Sequence, residues 1–152
     1  MWTFEDKAGR PVCLVPEITG LLQDEWNARW SRTERKPYRV FYVARCYRYE
    51  RPQRGRYREF TQVGVQLFGG TPPDDRREVE ALLVAILDAL GVEYELARDV
   101  RRGLGYYSDG GFEASCPAFG AQRQLAGGGR YAEGIGWAIG LDRLMLAMHP
   151  KV

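Results

Sequence analysis

Apolar and polar positions alternate with two periods along this chain, and the switches between them mark the elements. Pro11 to Val15 reads as a short strand. Pro16 to Trp30 follows with Ile18, Leu21, Leu22, Trp26 and Trp30 on one helical stripe. From Arg39 to Tyr49 the period falls to two, with Tyr38, Val40, Tyr42, Ala44 and Cys46 on one face and Arg39, Phe41, Val43, Arg45 and Tyr47 on the other. Phe60 to Phe68 repeats that pattern. The polar stretch Glu50 to Glu59 joins the two strands, which predicts an extended antiparallel hairpin with a basic tip.

Gly69, Gly70, Pro72 and Pro73 then break the chain. Asp74 or Asp75 is placed to cap a helix that carries Val79, Leu82, Leu83, Ile86, Leu87 and Leu90 and stops at Gly91. Val92 to Ala97 reads as a strand, and Leu104 to Cys116 as a Gly/Tyr-rich strand pair. After a glycine run at Gly127 to Gly129, Ile135 to Ile139 reads as a strand feeding a helix on Leu141, Leu144, Met145 and Met148. Strands outnumber helices and successive strands look hairpin-linked. The expected fold is α+β, a largely antiparallel sheet flanked by helices, in a single domain over 1–152.

Composition narrows the chemistry more than the fold. With 45% apolar and 28% charged residues in 152, the chain is an ordinary globular mixture. No apolar run has a membrane span's length, and the N-terminus lacks a signal peptide's apolar stretch, so a cytoplasmic protein with no membrane partner is expected. Cys13, Cys46 and Cys116 stand singly, which supports neither a disulfide framework nor a metal cluster. The one histidine, His149, lies near the C-terminus, which argues against Ser-His-Asp and Cys-His hydrolases and multi-histidine metal sites. What remains is arginine, carboxylate, tyrosine and glycine-rich backbone.

The arginines are concentrated. Arg29 to Arg58 holds eleven Lys/Arg against two Glu, a local +9 in a chain whose formal net charge is +2. Arginines at strand spacing suggest a groove for a polyanion, either nucleotide phosphates or a nucleic-acid backbone; the bland alternative is a basic outer sheet face. Three segments carry the candidate chemistry: Tyr47 to Phe60, Arg101 to Tyr107, and Gly127 to Tyr131 leading on to Gly136 to Leu144.

These segments, in this order, resemble motif 2, the histidine-binding signature and motif 3 of class II aminoacyl-tRNA synthetases of the histidyl type, and Glu50-Arg-Pro-Gln-Arg-Gly-Arg-Tyr-Arg-Glu-Phe60 is the most specific of them. The resemblance implies a class II catalytic core using ATP and Mg2+. It implies that Arg48 and Glu50 hold the α-phosphate and the adenine edge, that Phe60 stacks on adenine, and that Arg58 stands near the outer phosphates. By the same likeness Arg143 meets the γ-phosphate and Arg102 sits beside the attacked phosphorus, while Glu17, Gln62, Tyr106 and Tyr107 line the amino-acid pocket. Amino-acid activation is attack of an ionised carboxylate on phosphorus, so it needs clamped and neutralised phosphates rather than a histidine base.

The chain departs from that pattern in places. Gln66, on one strand face with Gln62 and Gly64 and so expected to line the amino-acid pocket, stands where the family usually has a glutamate facing the imidazole, and Gly105 where it usually has an aspartate. Motif 1, the insertion domain and the anticodon-binding domain are expected to be missing, which leaves the tRNA acceptor end or a protein chain as further partners. Three functions stay open at this point: a minimal core that binds ATP and histidine or a relative and forms an adenylate; a non-catalytic regulator resembling the regulatory subunit of ATP phosphoribosyltransferase; and an RNA-binding module without chemistry.

Overall fold

The computed structural model describes residues 1–101, 105, 107–108, 110–119 and 123–149. Its frame is a six-stranded sheet in the order β3-β4-β8-β7-β6-β5, built from β3 (Tyr38–Tyr47), β4 (Glu59–Phe68), β5 (Glu95–Val100), β6 (Gly111–Ser115), β7 (Gln124–Tyr131) and β8 (Gly134–Gly140). Every pairing is antiparallel. A separate hairpin joins β1 (Thr3–Glu5) to β2 (Pro11–Cys13). Its turn is local chemistry: Asp6 Oδ1 accepts from the backbone N–H of Ala8 at 2.8 Å and of Arg10 at 3.0 Å, and Gly9 supplies the positive φ of 72°.

Register explains how one sheet serves two purposes. On β8 the residues alternate small and large, with Gly134, Gly136, Ala138 and Gly140 on one face and Ile135, Trp137 and Ile139 on the other. The large set joins Val63, Val65 and Leu67 of β4 and Phe112 and Ala114 of β6 in the main core. Helix α3 (Asp74–Ala89) seals that core with Val79, Leu83 and Leu87, and α4 (Leu141–Met148) with Leu144 and Ala147. The Trp137 indole N–H donates to the Val79 carbonyl at 2.7 Å, tying sheet to helix. The small set leaves the opposite face flat at its centre.

Over one end of that flat face lies a second apolar cluster. Helix α1 (Thr19–Glu25) runs through a wider π-helical stretch, Trp26–Trp30, into a final turn, α2 (Ser31–Thr33). Trp26 stacks on Phe68 at 5.0 Å, and Trp30, Tyr38 and Tyr131 belong to the same cluster. Leu21 of the expected stripe points to solvent.

Several boundaries differ from those expected. The strand expected at Val92 to Ala97 lies at Glu95–Val100, because Val92 turns into the core beside α3. The glycine run is the centre of β7, whose missing side chains allow close backbone packing: a Cβ on Gly128 would collide with the Gly136 carbonyl. Neither Asp74 nor Asp75 caps α3. Pro73 occupies that position, and Asp75 instead faces inward to Arg130 at 2.6 Å.

Candidate active site

The Arg29 to Arg58 run does not form one groove. Arg39 and Arg45 lie on an exposed face of β3, paired with Glu78 and with Glu59 at 3.0 Å, and Arg29 pairs with Glu25. Register sets Arg39 opposite Leu67 and Arg45 opposite Thr61, on the core side of the sheet, but β3 is the edge strand and that side of it is left open, so a basic exposed face describes these two residues. Beyond the end of β3 the chain turns, and Arg48 enters a different setting.

A cleft of about 270 Å³ opens over the small-residue face between β4, β8 and the hairpin tip, and Arg48, Glu50, Arg56, Phe60, Gln62 and Arg143 are among its lining residues. Each arginine is aimed by a specific contact. Arg48 Nε donates to the Pro16 carbonyl at 3.0 Å, and its guanidinium lies 5.0 Å from the centre of the Phe60 ring. Arg143, at the start of α4, donates through Nε to the Gly55 carbonyl at 2.5 Å and through Nη1 to the Gln124 carbonyl. Arg56 is bonded to the Glu50 carboxylate. Asp142 accepts from the Thr61 N–H at 3.1 Å, pinning the start of α4 to β4.

The electrostatics of this cleft are unbalanced. Burial and the neighbouring Arg56 pull the Arg143 guanidinium below its ordinary value, with Arg48 acting in the same direction. The Arg56 hydrogen bond holds Glu50 below the usual carboxylate range. Arg48 and Arg143 have carbonyl oxygens as partners and no ion pair among the described residues. Carbonyls position a guanidinium but do not neutralise it.

A second cavity of about 430 Å³ adjoins the first and shares Arg48, Gln62, Gln124 and Ala138 with it. Glu17, Thr19, Tyr42 and Tyr107 contribute the rest of its polar lining. The two cavities are thus continuous along a boundary lined by Arg48 and these three residues.

Of the residues singled out from sequence, Arg48, Glu50, Phe60, Gln62 and Arg143 meet in the smaller cleft, and Glu17 and Tyr107 in the larger. Arg58 and Gln66 line neither. Arg58 is exposed and lies against the Tyr49 ring at 4.9 Å and the Trp2 ring at 5.7 Å, with its Nε donating to the Glu50 carbonyl. Gln66 is 1% exposed beneath the site, its amide occupied at both ends. Arg102 and Tyr106 lie outside the described residues. Arg56, Gln124, Asp142, Thr19 and Tyr42 line the two cavities too and were given no role from the sequence. Arg56 had a usable signal in its position between Gly55 and the strand, whereas Thr19 and Tyr42 meet only through tertiary packing.

Among the described residues no three His, Cys, Asp or Glu side chains gather as a metal site, and no helix is long and apolar enough to cross a membrane.

The antiparallel sheet, the arginine-lined cleft and the glycine-flattened floor define the class II synthetase architecture. The family model for the tRNA synthetase class II core domain (G, H, P, S and T) matches residues 2–135, and the chain belongs to that family. It is 27% identical to the histidine–tRNA ligase of Methanosphaerula palustris, over 97% of this chain and 61% of the relative. It is 44% identical to that of Archaeoglobus fulgidus over 96 residues, 63% of this chain and 23% of the relative. Apo histidyl-tRNA synthetase of S. aureus superposes with a TM-score of 0.83 at 21% identity, covering 97% of this chain and 60% of that one. An ATP phosphoribosyltransferase regulatory subunit/histidyl-tRNA synthetase from Bacillus halodurans superposes with 0.80 at 17% identity, covering 97% and 68%. The chain thus spans about 60% of the length of the full-span relatives it matches.

Proposed function

We propose that this chain binds ATP with Mg2+ in the smaller cleft and an amino acid, histidine or a relative, in the larger, and joins them as an aminoacyl-adenylate. The observation that carries the reading is the convergence of Arg48, Arg56 and Arg143 on one cleft, two of them with no anionic partner among the described residues. Such a cluster is stabilised by a polyanion. Phe60 supplies an aromatic face for a base, with Arg48 beside it. Gly140 leaves open space where a side chain would otherwise project.

The position of Arg48, which lines both cavities, fits the chemistry, because a ligand carboxylate and the α-phosphorus would meet beside it. The carboxylate oxygen forms a bond to phosphorus, the bond from phosphorus to the bridging oxygen breaks, and pyrophosphate leaves with the electron pair. No proton is abstracted. The arginines hold the phosphates in line and stabilise the charge that moves onto the leaving group. Magnesium, carried in on the triphosphate, adds to that neutralisation. Glu17 in the larger cavity suits an α-ammonium group.

The test is pyrophosphate exchange with ATP and each of the twenty amino acids, beside thermal unfolding with ATP and magnesium. The expected outcome is an upward shift in melting temperature, about 2.7 kcal/mol of added stability at a hundred times the dissociation constant, together with exchange for at least one amino acid. Arg143→Ala should weaken ATP binding by roughly 1.5 to 3 kcal/mol, and Arg45→Ala on the exposed face of β3 should leave it nearly unchanged. Binding of ATP and histidine without exchange would favour the regulatory reading, which the likeness to the Bacillus halodurans protein supports as the second choice. RNA binding indifferent to ATP would remove both.

A further inference from the structure

β3 ends the sheet, and its hydrogen bonds show what the free edge presents. The Arg48 N–H, just past the strand, donates toward the β4 side, to the Arg58 carbonyl at 2.8 Å, whereas the Tyr47 N–H donates away from it, to the Val15 carbonyl at 2.8 Å. Backbone groups alternate sides along a strand, so Arg39, Phe41, Val43 and Arg45 turn both N–H and C=O outward. Among the described residues no backbone group pairs with that edge between Arg39 and Arg45. The side chains of the same four residues share the open core-side face, where Phe41 is 77% exposed and Val43 62%. Arg39 with Glu78 at 2.8 Å stands at one end of this apolar pair, and Arg45 with Glu59 at 3.0 Å at the other. A long edge strand, unpaired and apolar at its centre, is a template for another strand.

The pattern is the same read in either direction from Tyr42. Phe41 and Val43 flank it, and Arg39 and Arg45 stand beyond them, so a two-fold axis at Tyr42 maps the set onto itself. In antiparallel register about that axis Phe41 falls opposite Val43 of a second copy, and Arg39 opposite Arg45 of that copy. Each pairing joins two outward-facing residues, so each exchanges two N–H···O bonds. The next pairing sets Pro37 opposite Tyr47. Pro37 has no N–H and that of Tyr47 is held by Val15, so the ladder stops where neither strand has a donor left to satisfy. The arginines do not meet as bare like charges, because Arg39 brings Glu78 and Arg45 brings Glu59. Each end becomes a mixed cluster of guanidinium and carboxylate groups beside an apolar centre.

We propose that β3 is a self-association surface, and that a second copy of this chain pairs with it about a two-fold axis at Tyr42, making one sheet continuous across both copies. A wholly acidic or wholly basic partner meets like charge at each end of the strand, and a second copy does not. The inference does not depend on what the cleft binds, because neither Phe41 nor Val43 lines either cavity. A contact one strand wide buries less than the ~1,600 Å² of a standard interface, so association in the micromolar range is expected.

The experiment is sedimentation velocity of the whole chain from low to several hundred micromolar, which should show a concentration-dependent passage from monomer to dimer. Phe41→Glu and Val43→Lys, both at exposed positions, should each weaken the dimer by about tenfold or more, at least about 1.4 kcal/mol. Register is read in a Cys13→Ser background, which removes the exposed native thiol. There, a Phe41→Cys chain mixed with a Val43→Cys chain should form a disulfide on mild oxidation, since opposed residues of a hydrogen-bonded pair lie within disulfide reach; either chain alone should not. A protein that stays monomeric throughout, assembly that runs past a dimer, a dimer indifferent to both charged substitutions, or cross-linking in the single chains in place of the mixture overturns the proposal. The concentration series on the unaltered chain decides the matter whether or not a variant folds.

Discussion

Gln66 shows how much a single residue's meaning depends on depth. Period-two spacing places it with Gln62 and Gly64 on the face away from Val63, Val65 and Leu67, and the register with β3 and β8 agrees. What spacing does not contain is the cover: α1 and the aromatic cluster close over this end of the sheet, so Gln62 opens to the cleft while Gln66 is buried four residues on. Gln66 therefore acts as a structural link between Tyr131 and Thr19 rather than as a wall of the pocket. Gln66→Leu removes both hydrogen bonds and leaves polar atoms buried beside an apolar group. The expected cost is about 1 to 3 kcal/mol of stability, read from urea denaturation. A glutamate at this position would have to bury its charge under the site, so Gln66→Glu is expected to lower stability rather than to improve histidine binding. An unchanged unfolding midpoint in both variants would mean that the buried link contributes nothing. Arg48 and Arg143, picked out by the family resemblance, both line the cleft because one follows the end of a strand and the other opens a helix beside it; Arg58, picked out in the same way, does not, because the chain of the β1–β2 hairpin brings Trp2 to it from far away in sequence.

At the scale of elements the hydrophobic period was a reliable guide to type and a weaker one to facing. In β8 the alternation Gly134-Ile135-Gly136-Trp137-Ala138-Ile139-Gly140 is visible in the sequence and states its own function, a core on one side and a flat floor on the other. Gly136 could not be otherwise: a Cβ there would strike the Val65 carbonyl and the Gln66 side chain. Helix α3 is less plain. Six apolar residues share its stripe, yet Val79, Leu83 and Leu87 are buried while Leu82 and Leu90 are 42% and 38% exposed. A stripe of that width exceeds what one sheet face can cover, and the sequence does not say which edge is left over. The consequence is a sharp contrast between adjacent leucines. Leu83→Ala is expected to cost about 2 to 5 kcal/mol, the range for a buried leucine that leaves a cavity, whereas Leu82→Ala should stay within about 1 kcal/mol. Chemical denaturation of the two variants decides it, and equal losses would mean that α3 is rotated from the orientation described.

Across the whole molecule, charge and fold are coupled through the carboxylates. The arginine partner holds Glu50 low through Arg56 and Glu78 low through Arg39. At Glu133, burial works against ionisation, but the donors Asn27 and Gln23 outweigh it and the group is also lowered. A carboxyl whose folded value lies below its unfolded value stabilises the fold fully above the unfolded value and loses that contribution as pH falls through the folded one. For these glutamates the unfolded reference is 4.5, so the loss begins near there and deepens toward lower pH. Net charge acts in the same direction. Neutralising the 20 acidic residues leaves 22 Lys and Arg unopposed, several of them already crowded around one cleft. Stability should therefore be flat from about pH 7 to about pH 5 and fall steeply below about pH 4.5, as followed by urea midpoints across that range. Glu50→Gln should show a shallower fall, since it removes one of the titrating groups, together with a lower plateau where Arg56 has lost its partner. Added phosphate or ATP should recover part of the acid loss by supplying the cleft with an anion whose first ionisations persist at low pH. A stability that rises on acidification would contradict the ion pairing at Glu50, Glu78 and Glu133 from which the expectation follows.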